Sequence, residues 1–406
     1  MHVLFVAPEF PNYQREFVRA LKSVGARVTG IGERPIEWLD PELRSWMDDY
    51  EKVGSVCHEG ELLAAVRRCQ SRSWVDRLEA TVEAHIMSTA KVREAASIPG
   101  LTAKAAWLCR DKPAMKEFLR QHGIPCAQST AADSAAEVRD FAEAVGYPII
   151  IKPRSGAGAD GTTRVDRAED LPAALRGIHF ERGASIAVEE FIEGHEGFYD
   201  TLTVRGEVVY EFVSHYYPNV LEAMRHRHYS PMIVHTNRSD MDGYDELRKL
   251  GRRVVAALGL GTTATHMEWF YGPKGLKFSE IGARPPGVGQ WDLYAAGNDI
   301  DIYREWAHAI VHGRVSRMPS RRHAAGIVAL RPERDGRILG YEGLDAARAL
   351  LGPGLIDFHL PPVGSPARPI EGGYMANAWI RARHPDYDAL RQQLARVGEL
   401  VRVRAG

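Results

Sequence analysis

Residues 149–165 read IIIKPRSGAGADGTTRV. A β-branched apolar run ends in Lys152 and opens into a turn carrying Gly156, Gly158 and Gly161, after which a second β-like run begins. This is not the P-loop pattern, in which the lysine follows the glycines and starts a helix. Here the lysine comes first and no helical pattern follows directly. The residues predict a β-hairpin: strand, pliable turn, strand. Glycines let backbone N–H groups approach phosphate oxygens with no Cβ in the way, and the lysine adds a point charge from the strand beside them. A surface hairpin with a solvated lysine fits the same residues, so the rest of the chain has to decide.

The 406 residues are enough for about two to four domains with a substantial core. Lys and Arg total 52 against 53 Asp and Glu, which argues against a general nucleic-acid or membrane-surface binder but leaves room for a local basic pocket. Cys57, Cys69, Cys109 and Cys126 show no Cys-x-x-Cys spacing and read as reduced thiols of a cytoplasmic protein, not as a disulfide frame or zinc site. The opening MHVLFVAPEF lacks the basic segment and long apolar core of a signal peptide. No apolar run is long enough to span a bilayer.

HVLFVA (2–7) reads as a buried parallel strand, YQREFVRALKSVG (13–25) as a helix stopping at glycine, and ARVTGIG (26–32) as a second strand. This β-α-β start predicts a Rossmann-like domain over 1–100. Pro8 and Pro11 stand where a Gly-x-Gly-x-x-Gly turn would be, so no dinucleotide is expected there. Residues 61–69 and 76–96 read as helices, as do 112–123, with Pro113 in the first turn and Gly123 at the end, and 135–146. After the hairpin come a strand at 185–194, antiparallel strands over 199–216 and a helix over 243–259. ATHMEWFYGPKGLKFSEIGAR is a further hairpin turning at GPKG, and 292–313 is helical. A smaller, β-rich α+β domain is expected over 320–406.

Glu268 and Glu280 sit one in each arm of the GPKG hairpin, so strand pairing can set the two carboxylates side by side. Like charges facing each other across strands destabilise unless a cation lies between them, and Mg²⁺ suits carboxylates plus phosphate oxygens. The other reading is two solvated glutamates, against which both have apolar neighbours. Arg284 follows four residues on, in a loop stiffened by prolines. It suits two-point binding of a carboxylate or phosphate, or is a plain loop arginine. Lys112 opens a helix, where an anion is already favoured, and alone reads equally as a solvated lysine. AVEEFIEGHE (187–196) is a half-buried strand whose edge could also hold an adenine ring. Arg225, His226, Arg227 and His228 form a basic cluster that is either a surface turn or aimed at substrate and phosphate. Trp269, Trp291 and Tyr294 either line an apolar wall or pack.

The order of these signals is more specific than any one of them. A lysine opening a helix, a lysine before a small-residue hairpin, EEFIEGHE, a glutamate pair and then an arginine resemble the ATP-grasp superfamily over roughly residues 95–315. The resemblance is to its carboxylate–amine ligase-like branch and implies an α/β (α+β) fold. In it, 1–100 would be a pre-ATP-grasp Rossmann-like domain, 101–319 a two-lobed ATP-grasp domain with a lid at about 125–190, and 320–406 a C-terminal α+β domain. By position it implies Lys112 and Lys152 on ATP phosphates, with Gly156, Gly158 and Gly161 in the loop closing over them. Glu189, Glu190, Phe191 and Ile192 would form the adenine hinge, Glu196 would hold the ribose, and Glu268 and Glu280 would hold Mg²⁺, or Mn²⁺ in its place. Arg284, with Lys152, would be catalytic. Arg225, Arg227, His228, His266 and Arg284 are the candidate substrate contacts. Where the family often has Glu-x-Asn-x-Arg, this chain reads Glu280-Ile281-Gly282-Ala283-Arg284, so a second-ion ligand is missing.

The activity so implied is ATP-dependent amide formation from a small-molecule carboxylic acid and an amine, possibly two amino acids, through an acyl phosphate. It needs no nucleic acid or membrane partner and allows a homodimer. A biotin carboxylase-like carboxylation is the second reading, although SGAGADG is shorter and less glycine-rich than such lids. A non-catalytic nucleotide-binding protein is the third, and the retained lysines, glutamates and arginine argue against it.

Overall fold

The computed structural model describes residues 1–154, 161–367, 374–375 and 378–406. The N-terminal segment is a parallel four-stranded sheet of β1 (His2–Val6), β2 (Arg27–Gly32), β3 (Asp49–Lys52) and β4 (Arg77–Glu79), in the order β3-β2-β1-β4. β1 is buried along its whole length, as a strand covered on both faces must be. One expectation is corrected here. Residues 76–96 are not one helix: β4 comes first, and the helix spans Glu83–Ala95. Three residues of strand are too short to show an alternating pattern, so the helical pattern behind them swallowed them.

Next comes an antiparallel sheet ordered β5-β8-β6-β7, from β5 (Ser129–Ala132), β6 (Ile149–Pro153), β7 (Thr163–Val165) and β8 (Ile186–Glu190). The hairpin expected from IIIKPRSGAGADGTTRV forms, with Ile149 opposite Val165 and Ile151 opposite Thr163. Its tip, including Gly156 and Gly158, lies outside the described residues. The helix Ala135–Val145 covers this sheet through Val138 and Ala142.

Among the described residues the largest sheet has eight strands. It uses β9 (His195–Val204), β10 (Glu207–Tyr217), β11 (Met232–His235), β12 (Thr263–Gly272), β13 (Gly275–Gly282) and β14 (Ala324–Leu330). A small pair joins β15 (Ile338–Glu342) to β18 (Arg402–Ala405). Between them, β16 (Leu355–His359) and β17 (Ala378–His384) complete the large sheet in the order β13-β12-β9-β10-β11-β14-β17-β16. Strands from residues 320–406 thus continue the sheet begun by β9, with β11 paired along β14 from Met232 to His235.

An aromatic cluster ties the N-terminal segment to this sheet. Phe17, on the helix Gln14–Ser23, lies 5.0 Å from Trp306, 5.0 Å from Tyr303 and 5.1 Å from Trp291 between ring centroids. Phe17 and Trp306 are almost wholly buried. Burying a side chain of this kind stabilises by roughly 1.5–3 kcal/mol. The cluster therefore fixes Tyr13, at the start of its helix, and Gln290, at the start of the helix Gln290–Asn298, on either side of one cavity. The helical stretch expected over 292–313 is two helices, Gln290–Asn298 and Ile302–His312, divided at Asp299 with φ of 53°.

Candidate active site

Three lysines gather under the β5–β8 sheet. Lys112 and Lys116 are four residues apart on the helix Lys112–Gln121 and so share a face. Asp111 caps that helix, accepting from the Ala114 N–H at 3.0 Å. Lys116 Nζ lies 2.6 Å and Lys152 Nζ 2.9 Å from the same oxygen of Glu189, and Lys112 Nζ lies 3.3 Å from Glu280. The three lysines and Glu189 are all buried. Burial alone would drive the Glu189 carboxyl up, but the two ammonium groups overcome it and hold it down to about 2. Burial pulls Lys116 down to about 8 against the attraction of Glu189. Burial would also lower Lys152, but Glu189 and Glu280 raise it above the usual lysine range. Two cations on one carboxylate leave this end of the cavity positive.

The acidic pair lies on the facing sheet. Glu268 and Glu280 are direct register partners across β12 and β13. On β9, Glu196, Phe198 and Asp200 stand opposite Phe270, Glu268 and His266, so these residues share one face. Burial, and next the charge of Glu280, push the Glu268 carboxyl up. Glu280 is held down, with burial opposing and Lys112 and Lys152 prevailing. Glu196 accepts a 2.7 Å hydrogen bond from the Val220 N–H, yet burial and then Glu268 push its carboxyl up to about 8. Carboxyls so crowded favour a cation between them. Among the described residues no third histidine, cysteine or acid joins the pair to make a ligand set. The pair therefore fits a hard ion that takes its other ligands from phosphate oxygens and water.

Arg284 is anchored from the N-terminal segment. Its Nε donates to Glu83 at 2.8 Å and its Nη1 to the Pro285 carbonyl at 2.8 Å. A Cβ on Gly282 would stand 3.3 Å from Glu83 Oε2 and 3.4 Å from Arg284 Cγ. Glycine at 282, where the resemblance expects asparagine two residues earlier in the motif than Arg284, thus makes room for this ion pair. His266 Nδ1 lies 2.7 Å from Asp200, whose other oxygen accepts from the Tyr294 hydroxyl at 2.5 Å. Burial would lower His266, but Asp200 raises it above the usual histidine range.

Most of these side chains border one cavity of about 1040 Å³. Lys112, Lys152, Glu196, Glu268, Glu280 and Arg284 line it, as do Glu189 to Ile192, Arg225 and His266. The Glu189 carboxylate points at lysines instead of lying along the strand edge. Glu190 sends its own carboxylate to Lys274 at 2.7 Å and gives its N–H to the Gln128 carbonyl. Phe191 lies under the Arg164 guanidinium at 4.0 Å. Two substrate expectations are not brought to the cavity. Arg227 turns to Asp335 and to the Pro332 carbonyl, and His228 packs on Tyr229 at 4.3 Å between ring centroids. Trp269, Trp291 and Tyr294 are buried in the cores and do not line it. Gly161, with φ of 67°, stands at the foot of the hairpin turn. Sequence reading missed Lys116, Glu83 and Gln290. The spacing of four residues from Lys112 marks Lys116 as a partner on the same helix face, whereas nothing local marks the other two.

A family model described as the ATP-grasp domain matches residues 117–298. That stretch of the chain is thus similar to the ATP-grasp domain. Among curated proteins the chain is similar to the L-arginine-specific L-amino acid ligase of Bacillus subtilis, 27% identical over 245 residues, 57% of this chain and 58% of that protein. It is also similar to the carbamoyl phosphate synthase large chain of Rubrobacter xylanophilus, 24% identical over 299 residues, 70% of this chain and 27% of that one. The chain spans 57% and 58% of the length of the first two curated relatives. Among solved structures, the L-amino acid ligase from Bacillus licheniformis superposes with a TM-score of 0.77 at 17% identity, covering 100% of this chain and 98% of that one. The biotin carboxylase domain of the Hydrogenobacter thermophilus 2-oxoglutarate carboxylase, solved with MgADP, ADP and bicarbonate, gives 0.63 at 17% identity, covering 94% and 86%. These superpositions show the ATP-grasp fold.

Proposed function

We propose that the protein is an ATP-dependent carboxylate–amine ligase that forms an amide through an acyl phosphate. The observation that carries this is the convergence of three buried lysines, the facing pair Glu268 and Glu280, and the anchored Arg284 on one cavity. Its volume is enough for a nucleotide and a second molecule. Lys112, Lys116 and Lys152 would bind the phosphates. The Glu190 carbonyl and the backbone of Ile192 would take the adenine, with Phe191 beside it and Glu196 near the ribose. Glu268 and Glu280 would hold Mg²⁺, which when bound screens phosphate charge.

In the first step a carboxylate oxygen of the acid bonds to the γ-phosphorus of ATP, the bond to the bridging oxygen breaks, and ADP leaves. In the second, the amine nitrogen bonds to the acyl carbon, the carbon–oxygen bond to phosphate breaks, and the proton lost from nitrogen leaves on the departing phosphate. Arg284, fixed by Glu83, would stabilise charge on the oxygens of the acyl phosphate without having to reorganise. The lysines would serve the first step in the same way. The test is a screen of acid and amine pairs read by release of ADP and phosphate, with products weighed by mass spectrometry. Amide product from at least one pair is expected. Turnover that requires bicarbonate and no amine would replace this reading with carboxylation.

A further inference from the structure

The reaction proposed above leaves one charge without a partner. When the amine nitrogen bonds to the acyl carbon, an electron pair moves onto the carbonyl oxygen. That oxygen is best met by a hydrogen-bond donor held in place before the charge arrives. Arg284 and the lysines are taken up by phosphoryl oxygens. The floor of the cavity offers a further donor.

Tyr216 lies on β10, borders the cavity and is 8% exposed. Its ring stands 5.1 Å from that of Phe198 and 5.2 Å from that of Tyr374 between centroids, and its register partner on β11 is Ile233. Tyr374 is itself tied down: its hydroxyl accepts the Tyr217 N–H at 3.3 Å and donates to the Met232 carbonyl at 2.8 Å. The Tyr216 ring is therefore held on several sides. Its hydroxyl is not. Among the described residues nothing pairs with it, and it is not one of the unpaired polar atoms cut off from the surface, so it opens onto the cavity. Packing alone would be met by phenylalanine. Burial, and then Glu268 and Glu196, push the phenol well above its usual range, so it keeps its proton at neutral pH.

The sheet order puts this donor on the free side of the acidic pair. Glu280 and Glu268 sit on β13 and β12, Arg284 follows β13, and β9 and then β10 come next on the other side. Phe198, on which the Tyr216 ring packs, is the register partner of Glu268 on β9. An acyl phosphate with its phosphoryl group at the glutamate pair and Arg284 can extend its carbonyl end over Phe198 to Tyr216. We infer that Tyr216 is a further catalytic residue, whose hydroxyl donates to the carbonyl oxygen of the acyl phosphate as the amine adds. The phenol keeps its proton throughout. When the tetrahedral species collapses, the electron pair on oxygen re-forms the carbonyl, the carbon–oxygen bond to phosphate breaks, and phosphate leaves with the proton lost from nitrogen. This deepens the ligase reading and rests on it.

The test is Tyr216→Phe, which removes the hydroxyl and keeps the ring, with the acid and amine that give most amide in the screen above. Rapid quenching of a single turnover separates the two steps. ADP should form at the wild-type rate to within about threefold. Amide formation should slow by about 10²-fold, as loss of one oxyanion donor does. The acyl phosphate then waits and hydrolyses, so ADP released per amide formed should rise well above one; a tyrosine that only packs would not move that ratio. The melting temperature without ligands should stay level, because the hydroxyl has no protein partner to lose. Amide formed at the wild-type rate by Tyr216→Phe overturns the inference and leaves the ligase reading standing. So does a loss of ADP formation equal to the loss of amide, which places the residue in the first step or in the fold. No amide from the wild type with any pair takes both away. If Tyr216→Phe does not fold, Tyr216→Met takes its place under the same criteria.

Discussion

At its lysine end the cavity meets charge with charge: Lys116 and Lys152 share Glu189, and Lys112 faces Glu280. At its Arg284 end it pairs Arg284 with Glu83, which Arg110 also meets at 3.4 Å, and the Gln290 amide has no hydrogen-bond partner among the described residues. The first end suits any polyphosphate and asks little about what else is bound. The second end holds a planar set of donors in place, which suits geometric recognition of one small group. The difference teaches where a ligand supplies force and where it supplies information. It can be broken at each end by separate substitutions.

The largest expected effect lies where the two ends meet, at the acidic pair. Glu280→Gln removes a carboxylate that both faces Glu268 and balances Lys112. Turnover should fall by about 10³-fold, and the magnesium concentration giving half-maximal rate should rise. Glu268→Gln should behave alike. Normal turnover at low magnesium in either variant would remove that residue from the metal site.

Next in size is the buried trio. Glu189→Gln leaves Lys116 and Lys152, both buried, without the carboxylate they share. Breaking a buried ion pair by removing one partner costs about 3–5 kcal/mol, so chemical denaturation should show a loss of that order. An unaltered unfolding midpoint would mean that Lys116 and Glu189 are solvated and that the lysine end is not a fixed cradle. Arg284→Lys probes the other end. A lysine cannot hold Glu83 and also present a planar pair of donors. Amide formation should drop by roughly 2–4 kcal/mol of transition-state stabilisation with ATP binding nearly normal. Retained product formation would show that the Arg284 end does not act on the acyl group.

The two ends also differ in how far they can be read from sequence. Lys152, Lys112, Glu268, Glu280 and Arg284 each sit in a local pattern, beside a glycine-rich turn, at a helix start, in one hairpin or before two prolines. The β6–β7 hairpin followed from its own residues for the same reason. Glu189 was legible as part of a strand, but not as the partner of two lysines, because one lies on a helix seventy-odd residues earlier. Glu83 is 201 residues from Arg284 and pairs with it only once the N-terminal sheet is docked by the Phe17 cluster. Gln290 looks like any polar residue at a helix start until its burial is known. Local patterns encode the lysine end, which is proposed to bind the common nucleotide; tertiary packing makes the Arg284 end.

Acid sharpens the comparison with the smallest effect. Glu189 is held down to about 2, so the lysine end stays paired through the whole mildly acidic range. Stability lost there must come from groups buried without charge. His235 is one. Burial pulls it down to about 3, its Nδ1 lies 3.0 Å from the Val213 carbonyl, and its Nε2 lies 3.3 Å from the Asn298 amide nitrogen. A carbonyl can only accept, so Nδ1 carries the proton and the ring is neutral. His215 is another, pulled down to about 3 by burial and then by His195. For both, the unfolded chain takes up a proton near pH 6.5 and the folded one does not until about pH 3. The contribution of these two histidines is therefore complete above about pH 6.5 and declines as pH falls towards 3, whereas Glu196 and His266, both raised, add stability over part of the same range. The melting temperature of the wild type relative to that of His235→Gln, which has no proton to take up, should drop by a few degrees between pH 7.5 and pH 5, with the variant lower at pH 7.5. A difference between the two that does not change with pH would mean that His235 is solvated in the folded chain.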